Sequence, residues 1–297
     1  MNDSIGLIGL GSLGLPLAEN ILAAGHPLTV YNRTPHKAKP LGDKGATVAA
    51  SASEVAQTCR YVITLLSDDA ALKEVTLTDE FARNLGADGI HISMSTIAPQ
   101  TARQLAEHHA RFDARYVAAP IFGRPAAVAA KQAWVCVSGD AEAKEQVKPI
   151  LSAIVAQGLY DFGDEPSTAN VVKLAGNFMI GAAMEAMAEA MTVAEKNGVS
   201  RQALIDMFSS TMFASPIYKN YGTMIARQVY DENVGFRLPL GLKDMNLVLQ
   251  MASEVKAPMP LAQLVQSRLV SALAKGRENW DWTGLAYGAS EDAGTHS

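Results

Sequence analysis

From its N-terminal end the chain alternates short apolar runs with amphipathic ones. SIGLIGL reads as an apolar strand, and SLGLPLAENILAAG as a helix closing at Gly25. PLTVYN follows as a second strand, and RYVITLL, GIHIS, ARYVAAP, AWVCVSG and GLYDF are further strand-like runs. Segments with helical periodicity, such as PQTARQLAEHHAR and AEAKEQVKPILSAIVAQG, separate most of them. Apolar strands alternating with helices predict an α/β architecture built on a parallel, doubly wound sheet.

The pattern changes near Asp164, after which no strand is predicted. The stretch from Pro166 to Gly198 can run as one helix of roughly 30 residues, about 45 Å long. Pro166 suits a first-turn position, and Asn197-Gly198 is a stop signal. SRQALIDMFSST, SPIYKNYGTMIARQVY, LKDMNLVLQMASEVK and PLAQLVQSRLVSALAKG continue as shorter helices. The expected organisation is a dinucleotide-binding domain over residues 1–163 and an all-helical domain over 164–297. The long helix joins them and, being too long to bury itself in one small domain, is expected to pack on a partner subunit. The polar end, SEDAGTHS, is expected to fray.

Composition narrows the class. Hydrophobic residues make up 48% of the 297, enough for a full core. Charged residues are 19%, below the usual quarter or so, which points to a buried interface between subunits. A net charge of -5 without a basic stripe argues against a nucleic-acid partner. Cys59 and Cys136 form neither a disulfide framework nor a metal spacing, and read as reduced core thiols. The opening MNDSIGLIGLG lacks a basic segment and cleavage site, and the apolar start of the long helix is broken by Asn170, Lys173 and Asn177. A cytoplasmic protein, with no membrane partner, is the expectation.

The clearest chemical signal is Gly9-Leu10-Gly11-Ser12-Leu13-Gly14, between the first strand and first helix. In that context GxGxxG is the dinucleotide fingerprint: Gly9 for the tight turn, Gly11 for approach of the pyrophosphate, Gly14 for close helix–strand packing. The helix start supplies amide donors to the phosphates. At the end of the second strand an acid would hold a ribose 2′-hydroxyl; this chain has Asn32-Arg33-Thr34 instead. Arg33 can grip a 2′-phosphate through charge and its planar fork, with Thr34 and Lys37 in support, so NADP(H) is expected over NAD(H).

On the long helix Asn170, Lys173 and Asn177 fall at i, i+3 and i+7, with Gly181 continuing the same face. They make one narrow polar stripe on an otherwise apolar segment. A buried amide can serve structure alone, and a buried lysine can be half of an ion pair. A lysine whose pKa is depressed by burial is also what a general acid near neutral pH requires. Carbonyl reduction by a nicotinamide needs such an acid.

These segments together resemble the β-hydroxyacid dehydrogenases, and among them the glyoxylate/succinic semialdehyde reductases. The resemblance runs from Ile5 to about Leu273 and rests on GLIGLGSLGLPLA, VYNRT, ITLLSDDAA, ISMSTIAP, VVKLAGN and LKDMNLVL. It implies a Rossmann domain followed by a helical domain, a homodimer or homotetramer, and a site in the cleft between domains. It implies Lys173 as the catalytic lysine and Asn177 as an orienting residue. Leu66 and Ser67 then line the cofactor, Thr96 lies near the nicotinamide with Ser95 beside it, and Lys243 reaches back to the cofactor. On its own, Lys243 reads as a surface lysine paired with a neighbouring acid.

One departure bears on substrate. Where the family carries a serine that holds the substrate carboxylate, this chain has Phe122, within Pro120-Ile121-Phe122-Gly123-Arg124. Either Arg124 replaces the lost donor or the substrate is larger and less polar. The expected activity is NADPH-dependent reduction of a small aldehyde or 2-oxo acid, with Ser95, Phe122, Gly123, Arg124 and Asn177 at the substrate. The alternatives are an imine or bulky-carbonyl reductase on the same scaffold, or a non-catalytic dinucleotide-binding scaffold or sensor. Smaller signals point to structure: His108-His109 is expected on a surface helix without a third metal ligand, and Met179, Met184, Met187 and Met191 as a packing face. Glu185 and Glu189 are expected to face water or a partner subunit.

Overall fold

The computed structural model describes residues 4–295, which divide after Lys173 into two compact units. The first is organised around nine strands: β1 (Ile5–Ile8), β2 (Leu28–Tyr31), β3 (Thr47–Val48), β4 (Tyr61–Thr64), β5 (Ile90–Ser93), β6 (Arg115–Ala118), β7 (Ile121–Phe122), β8 (Ala133–Gly139) and β9 (Ala156–Asp161). Their order in space is β3-β2-β1-β4-β5-β6-β8-β7, with β9 on the other side of β8. β1 through β6 pair in parallel, and β1, β4 and β5 are buried at every position, as strands covered on both faces must be.

Helices α1 (Gly14–Ala23), α2 (Lys39–Gly42), α3 (Ala52–Thr58), α4 (Asp69–Thr76), α5 (Asp79–Leu85), α6 (Pro99–Ala110), α7 (Pro125–Ala129) and α8 (Ala141–Ile154) complete this unit. Several starts are set by side-chain caps. Ser51 accepts from the Glu54 amide while Glu54 accepts from the Ala50 amide, a reciprocal box that begins α3. Asp68, Thr78 and Asp140 cap α4, α5 and α8 in the same way. On one side of the sheet Ile5, Leu7, Val30, Ile63 and Ile92 pack with Leu17, Ile21, Val147 and Leu151; on the other, Ile8 and Val62 meet Val55, Phe81 and Leu85. Each such side chain contributes about 1.5–3 kcal/mol of transfer free energy. Asn20, buried in α1, donates to the carbonyls of Val128 at 2.7 Å and Ile154 at 2.9 Å, tying three helices together.

The sheet departs from the all-parallel expectation at β8, which is antiparallel to β6 and to β7. The helix before it, α7, has five residues and is about 7.5 Å long, too short to carry the chain back along the sheet. β3 and β7 have two residues each, too few to show a period, and were not expected.

The long helix, α9, runs Thr168–Lys196, 29 residues or about 44 Å, with Pro166 just ahead of it and Gly198 at φ +82° just beyond. Ser138 of β8 anchors its start, accepting from the Ala169 amide and donating to the Pro166 carbonyl. By length and mean hydropathy, 1.2 over its most apolar window, α9 is long and apolar enough to cross a membrane, a test that core helices also pass. Beyond Lys173 its Leu174, Met184, Met187 and Met191 form the core of the second unit with Met245, Val248, Val265 and Leu269. Met179 is not part of that face; it is 68% exposed, because five steps along the helix turn it about 140° away from Met184.

The second unit continues with α10 (Arg201–Ser210), a π-helical turn (Ile217–Tyr221), α11 (Gly222–Arg227), α12 (Leu238–Glu254), α13 (Pro260–Ala274), a 3-10 turn (Trp282–Ala286) and α14 (Tyr287–Asp292). Its described residues form no strand, only a single bridge between Arg237 and Asp281. Two expectations are corrected here. Residues 290–295 are anchored rather than frayed: buried Ser290 accepts from Arg201 at 2.8 Å, and Glu291 is bound by Lys275 and Arg277; the last two residues lie outside the described range. Glu185 faces neither water nor a partner, since it is buried against Arg268 Nε at 2.7 Å; Glu189 is exposed.

His109 is also not a surface residue. It is fully buried, with its Nε2 at 2.8 Å from Nδ1 of His91 in β5; the polar alternation of α6 concealed a position that a second histidine satisfies. Cys59 and Cys136 are free and buried, as expected.

Candidate active site

The order of strands reverses between β1 and β4, and the chain leaves β1 there through the glycine turn. Ligands of open parallel sheets bind at such a switch point, beyond the carboxyl ends of the strands. The three glycines are required for different reasons. Gly9 has φ +104°, and a Cβ on it would lie 2.4 Å from the Leu65 carbonyl oxygen. A Cβ on Gly14 would lie 2.0 Å from the Gly9 oxygen, so the first turn of α1 can close on the strand only with glycine there. A Cβ on Gly11 would meet nothing within 4 Å. The protein's own packing therefore demands Gly9 and Gly14, whereas the bareness of Gly11 leaves a cradle beside the exposed Gly11-Ser12 and the start of α1. A pyrophosphate fits that cradle.

Asn32, at the end of β2, braces this turn. Its Oδ1 accepts from the Leu10 amide at 2.9 Å and its Nδ2 donates to the Thr34 carbonyl at 3.0 Å. Leu10 and Leu13 are buried and half-buried in the turn. Arg33 is exposed and Thr34 half-buried, and residues 31–39 add His36, Lys37 and Lys39 without any acid.

The ends of β4 and β5 are tied to one another. Ser95, almost fully buried, accepts from the Leu66 amide at 2.8 Å. Asp69 accepts from the Ala98 amide at 2.9 Å. Ser67 donates to Asp68 at 2.8 Å, and Asp68 caps α4. Leu66, Ser67, Ser95 and half-buried Thr96 therefore lie on two loops held in register, next to the glycine turn at Leu65.

Lys173 closes the first unit. It is 8% exposed, and its Nζ stands 4.3 Å from the centroid of the Phe122 ring. Phe122 sits on β7, paired through the backbone with Trp134 of β8. Gly123 follows where a Cβ would come 2.9 Å from that of Ala133, and half-buried Arg124 opens α7. The Cys136 thiol is pushed up to about 11 by burial, with the Lys173 ammonium acting against that rise. Asn170, fully buried one turn before Lys173, has no partner for either amide atom among the described residues.

In the second unit Asn177 is buried and donates through Nδ2 to Asp244 Oδ2 at 2.6 Å. Lys243 Nζ is 2.9 Å from Asp244 Oδ1. Asp244, 1% exposed, is thus the hub of two residues singled out from the sequence, and it was missed there. The signal was present in the Lys243-Asp244 pair, but its contact with Asn177 joins residues far apart in the chain.

A glycine turn at a sheet's switch point, opening a helix, beside a loop rich in base and free of acid, defines a dinucleotide-binding protein. The comparisons with known proteins narrow that class. Residues 4–163 match the family model for the NAD binding domain of 6-phosphogluconate dehydrogenase, and residues 167–287 that for the NAD-binding of NADP-dependent 3-hydroxyisobutyrate dehydrogenase. An uncharacterised oxidoreductase of Bacillus subtilis, YfjR, is 41% identical across 95% of this chain and 98% of its own. Glyoxylate/succinic semialdehyde reductase 1 of Arabidopsis thaliana is 28% identical across 95% of this chain and 96% of its own. The crystal structure of a 3-hydroxyisobutyrate dehydrogenase from Salmonella typhimurium superposes with a TM-score of 0.85 at 25% identity, covering 96% of this chain and 99% of the other. The chain belongs to the β-hydroxyacid dehydrogenase family. It is an NAD(P)-dependent oxidoreductase.

Proposed function

We propose that this protein reduces a small aldehyde or 2-oxo acid with NADPH, and that Lys173 is the proton donor. The observation that carries the reading is Lys173 itself, an almost buried lysine at the end of the dinucleotide-binding unit. The similarity to a glyoxylate/succinic semialdehyde reductase over nearly its whole length supports the substrate class.

When bound, the nicotinamide supplies a hydride to the carbonyl carbon. The chain's residues do the rest. Negative charge develops on the carbonyl oxygen, and the Lys173 ammonium neutralises it by delivering a proton; in oxidation the neutral amine takes the proton back. Asp244 occupies one Nδ2 hydrogen of Asn177 and so fixes the amide that orients the substrate. Ser95 and Gly123 contribute a hydroxyl and a close backbone, and Arg124 offers a carboxylate the charge-assisted donor that Phe122 cannot. On the cofactor side Gly9, Leu10, Gly11, Ser12, Leu13 and Gly14 hold the pyrophosphate, and Leu66, Ser67, Thr96 and Lys243 line the dinucleotide. Arg33, Thr34 and Asn32 address the ribose, Arg33 giving the 2′-phosphate a partner that an acid would repel. In this reading residues 1–163 serve the cofactor and 164–297 serve substrate and subunit contacts, in a cytoplasmic homodimer or homotetramer.

The test is NADPH oxidation at neutral pH against glyoxylate, succinic semialdehyde, tartronate semialdehyde, bulkier aldehydes and a cyclic imine, with wild type and Lys173→Ala. The small acids should turn over, and the variant should lose about 10²- to 10⁴-fold in kcat while keeping its affinity for NADPH. Turnover surviving in Lys173→Ala refutes the role of the lysine. Turnover confined to bulky or uncharged substrates refutes the substrate class.

A further inference from the structure

We propose that Phe122 is a positioning residue for Lys173: the face of its ring receives the ammonium, holds it in place and favours its protonated form. This inference rests on the reading of Lys173 as the proton donor, and it assigns a task to a side chain that stands where a polar one would be expected.

The geometry is specific. At 4.3 Å from the ring centroid, the Lys173 Nζ is well inside the range of about 6 Å over which a cation is drawn to the negative face of an aromatic ring. The ring is not free to drift. Its backbone is paired to Trp134, and its side chain packs on the buried cluster of Leu72, Ile97, Leu105, Tyr116 and Cys136. A lysine stem is long and flexible, so an ammonium acting on one atom of a substrate needs a wall to fix it. Phe122 supplies that wall without accepting a hydrogen bond, so the ring takes none of the ammonium's protons.

The electrostatic effect has a definite sign. Burial disfavours the ammonium. Cys136 on β8 and Tyr116 on β6 share the cluster with the ring; burial raises both, so each stays protonated and uncharged at neutral pH. Along α9 no other charged residue occurs until Glu185, about three turns on. The ring face acts in the opposite direction from burial and keeps a larger share of Lys173 charged. Reduction needs the ammonium and oxidation needs the amine, so the ring extends reduction toward higher pH and delays oxidation to higher pH by the same amount.

The experiment compares wild type, Phe122→Leu and Phe122→Tyr. Leucine keeps apolar bulk without a π face, and tyrosine keeps the ring. The titration of Lys173 is read without substrate, by competitive acetylation across a pH series and mass spectrometry of the peptide that contains it. In Phe122→Leu it should move down by about one pH unit, and in Phe122→Tyr it should stay at the wild-type value. The alkaline limb of kcat/KM for reduction and the acid limb for oxidation should move down with it in the leucine variant, with KM for NADPH unchanged. A Phe122→Leu protein whose Lys173 titrates as in wild type overturns the inference. Survival of turnover in Lys173→Ala would overturn the catalytic reading instead, and the acetylation curves would still decide what the ring does.

Discussion

Acidification should loosen the dinucleotide-binding unit from within its sheet. His91, in β5, and His109, near the end of α6, are fully buried and share a hydrogen bond of 2.8 Å; His91 Nε2 also lies 2.9 Å from Thr64 Oγ1. Around them stand the Phe81 ring, the Tyr116 phenol, which burial keeps protonated, and His108, 3.7 Å from Asp79. Burial, then the charge of its partner, holds His91 well below the ordinary 6.5. Burial, then His108, brings His109 down to about 3. Both are neutral in the folded chain, and the unfolded chain takes up protons first. Their stability is therefore fully present above pH 6.5 and is lost as pH falls from 6.5 toward the folded values. Each group costs up to about 1.4 kcal/mol per pH unit in that window, hence up to about 2 kcal/mol each at pH 5 and about 4 for the pair. Against a typical stability of about 5–15 kcal/mol that is a large loss. Native-state hydrogen exchange of the β4 and β5 amides, corrected for intrinsic rates, would read it at pH 7.5, 6 and 5. His109→Gln removes one titrating group and should halve the slope, from about 2.7 to about 1.4 kcal/mol per pH unit. A flat opening free energy between pH 7.5 and 5, or a slope indifferent to His109→Gln, would refute the reasoning.

Other perturbations separate roles that the sequence runs together. Gly14→Ala drives a Cβ to 2.0 Å from the Gly9 oxygen and should cost about 2–4 kcal/mol in chemical denaturation along with dinucleotide binding, whereas Gly11→Ala, which meets nothing within 4 Å, should stay within about 0.5 kcal/mol while weakening the dinucleotide in calorimetry. Arg33→Ala should raise KM for NADPH about 10- to 100-fold and leave KM for NADH nearly unchanged, the loss of one or two charge-assisted bonds. Arg268→Ala strands the carboxylate of Glu185, 2% exposed and normally held at 2.7 Å, and should destabilise the helical unit by about 3 kcal/mol; adding Glu185→Gln should recover part of it.

What could be read beforehand follows the range of the interactions involved. The glycine turn, the parallel strands β1, β2, β4, β5 and β6 and the length of α9 are written in local pattern, and the chain alone discloses them. β8 reverses because of the short helix before it, which no strand propensity reports. His109 and Glu185 are polar residues that read as solvated on their helices, and only a partner in another element makes their burial tolerable. Asp244 shows the same limit at the site: the Lys243-Asp244 pair is visible as a dipeptide, but the bond to Asn177 is not. Ser95 belongs to the same group, since its service to the Leu66 amide depends on two strands lying side by side. Phe122 was conspicuous only against a family resemblance, and nothing in the linear order placed its ring on Lys173.

The two hydrogen bonds of Asn32 have a consequence for redesign. The loop that follows β2 owes its shape to that amide, which grips Leu10 on one side and Thr34 on the other. Arg33 takes no part in either bond through its side chain. In the proposed reading of Arg33, form and recognition are therefore carried by different residues in adjacent positions. A designer can exchange the guanidinium for a carboxylate, or for nothing, on a loop whose path is already paid for, and what changes will be the preference for one nucleotide over another rather than the architecture that receives it.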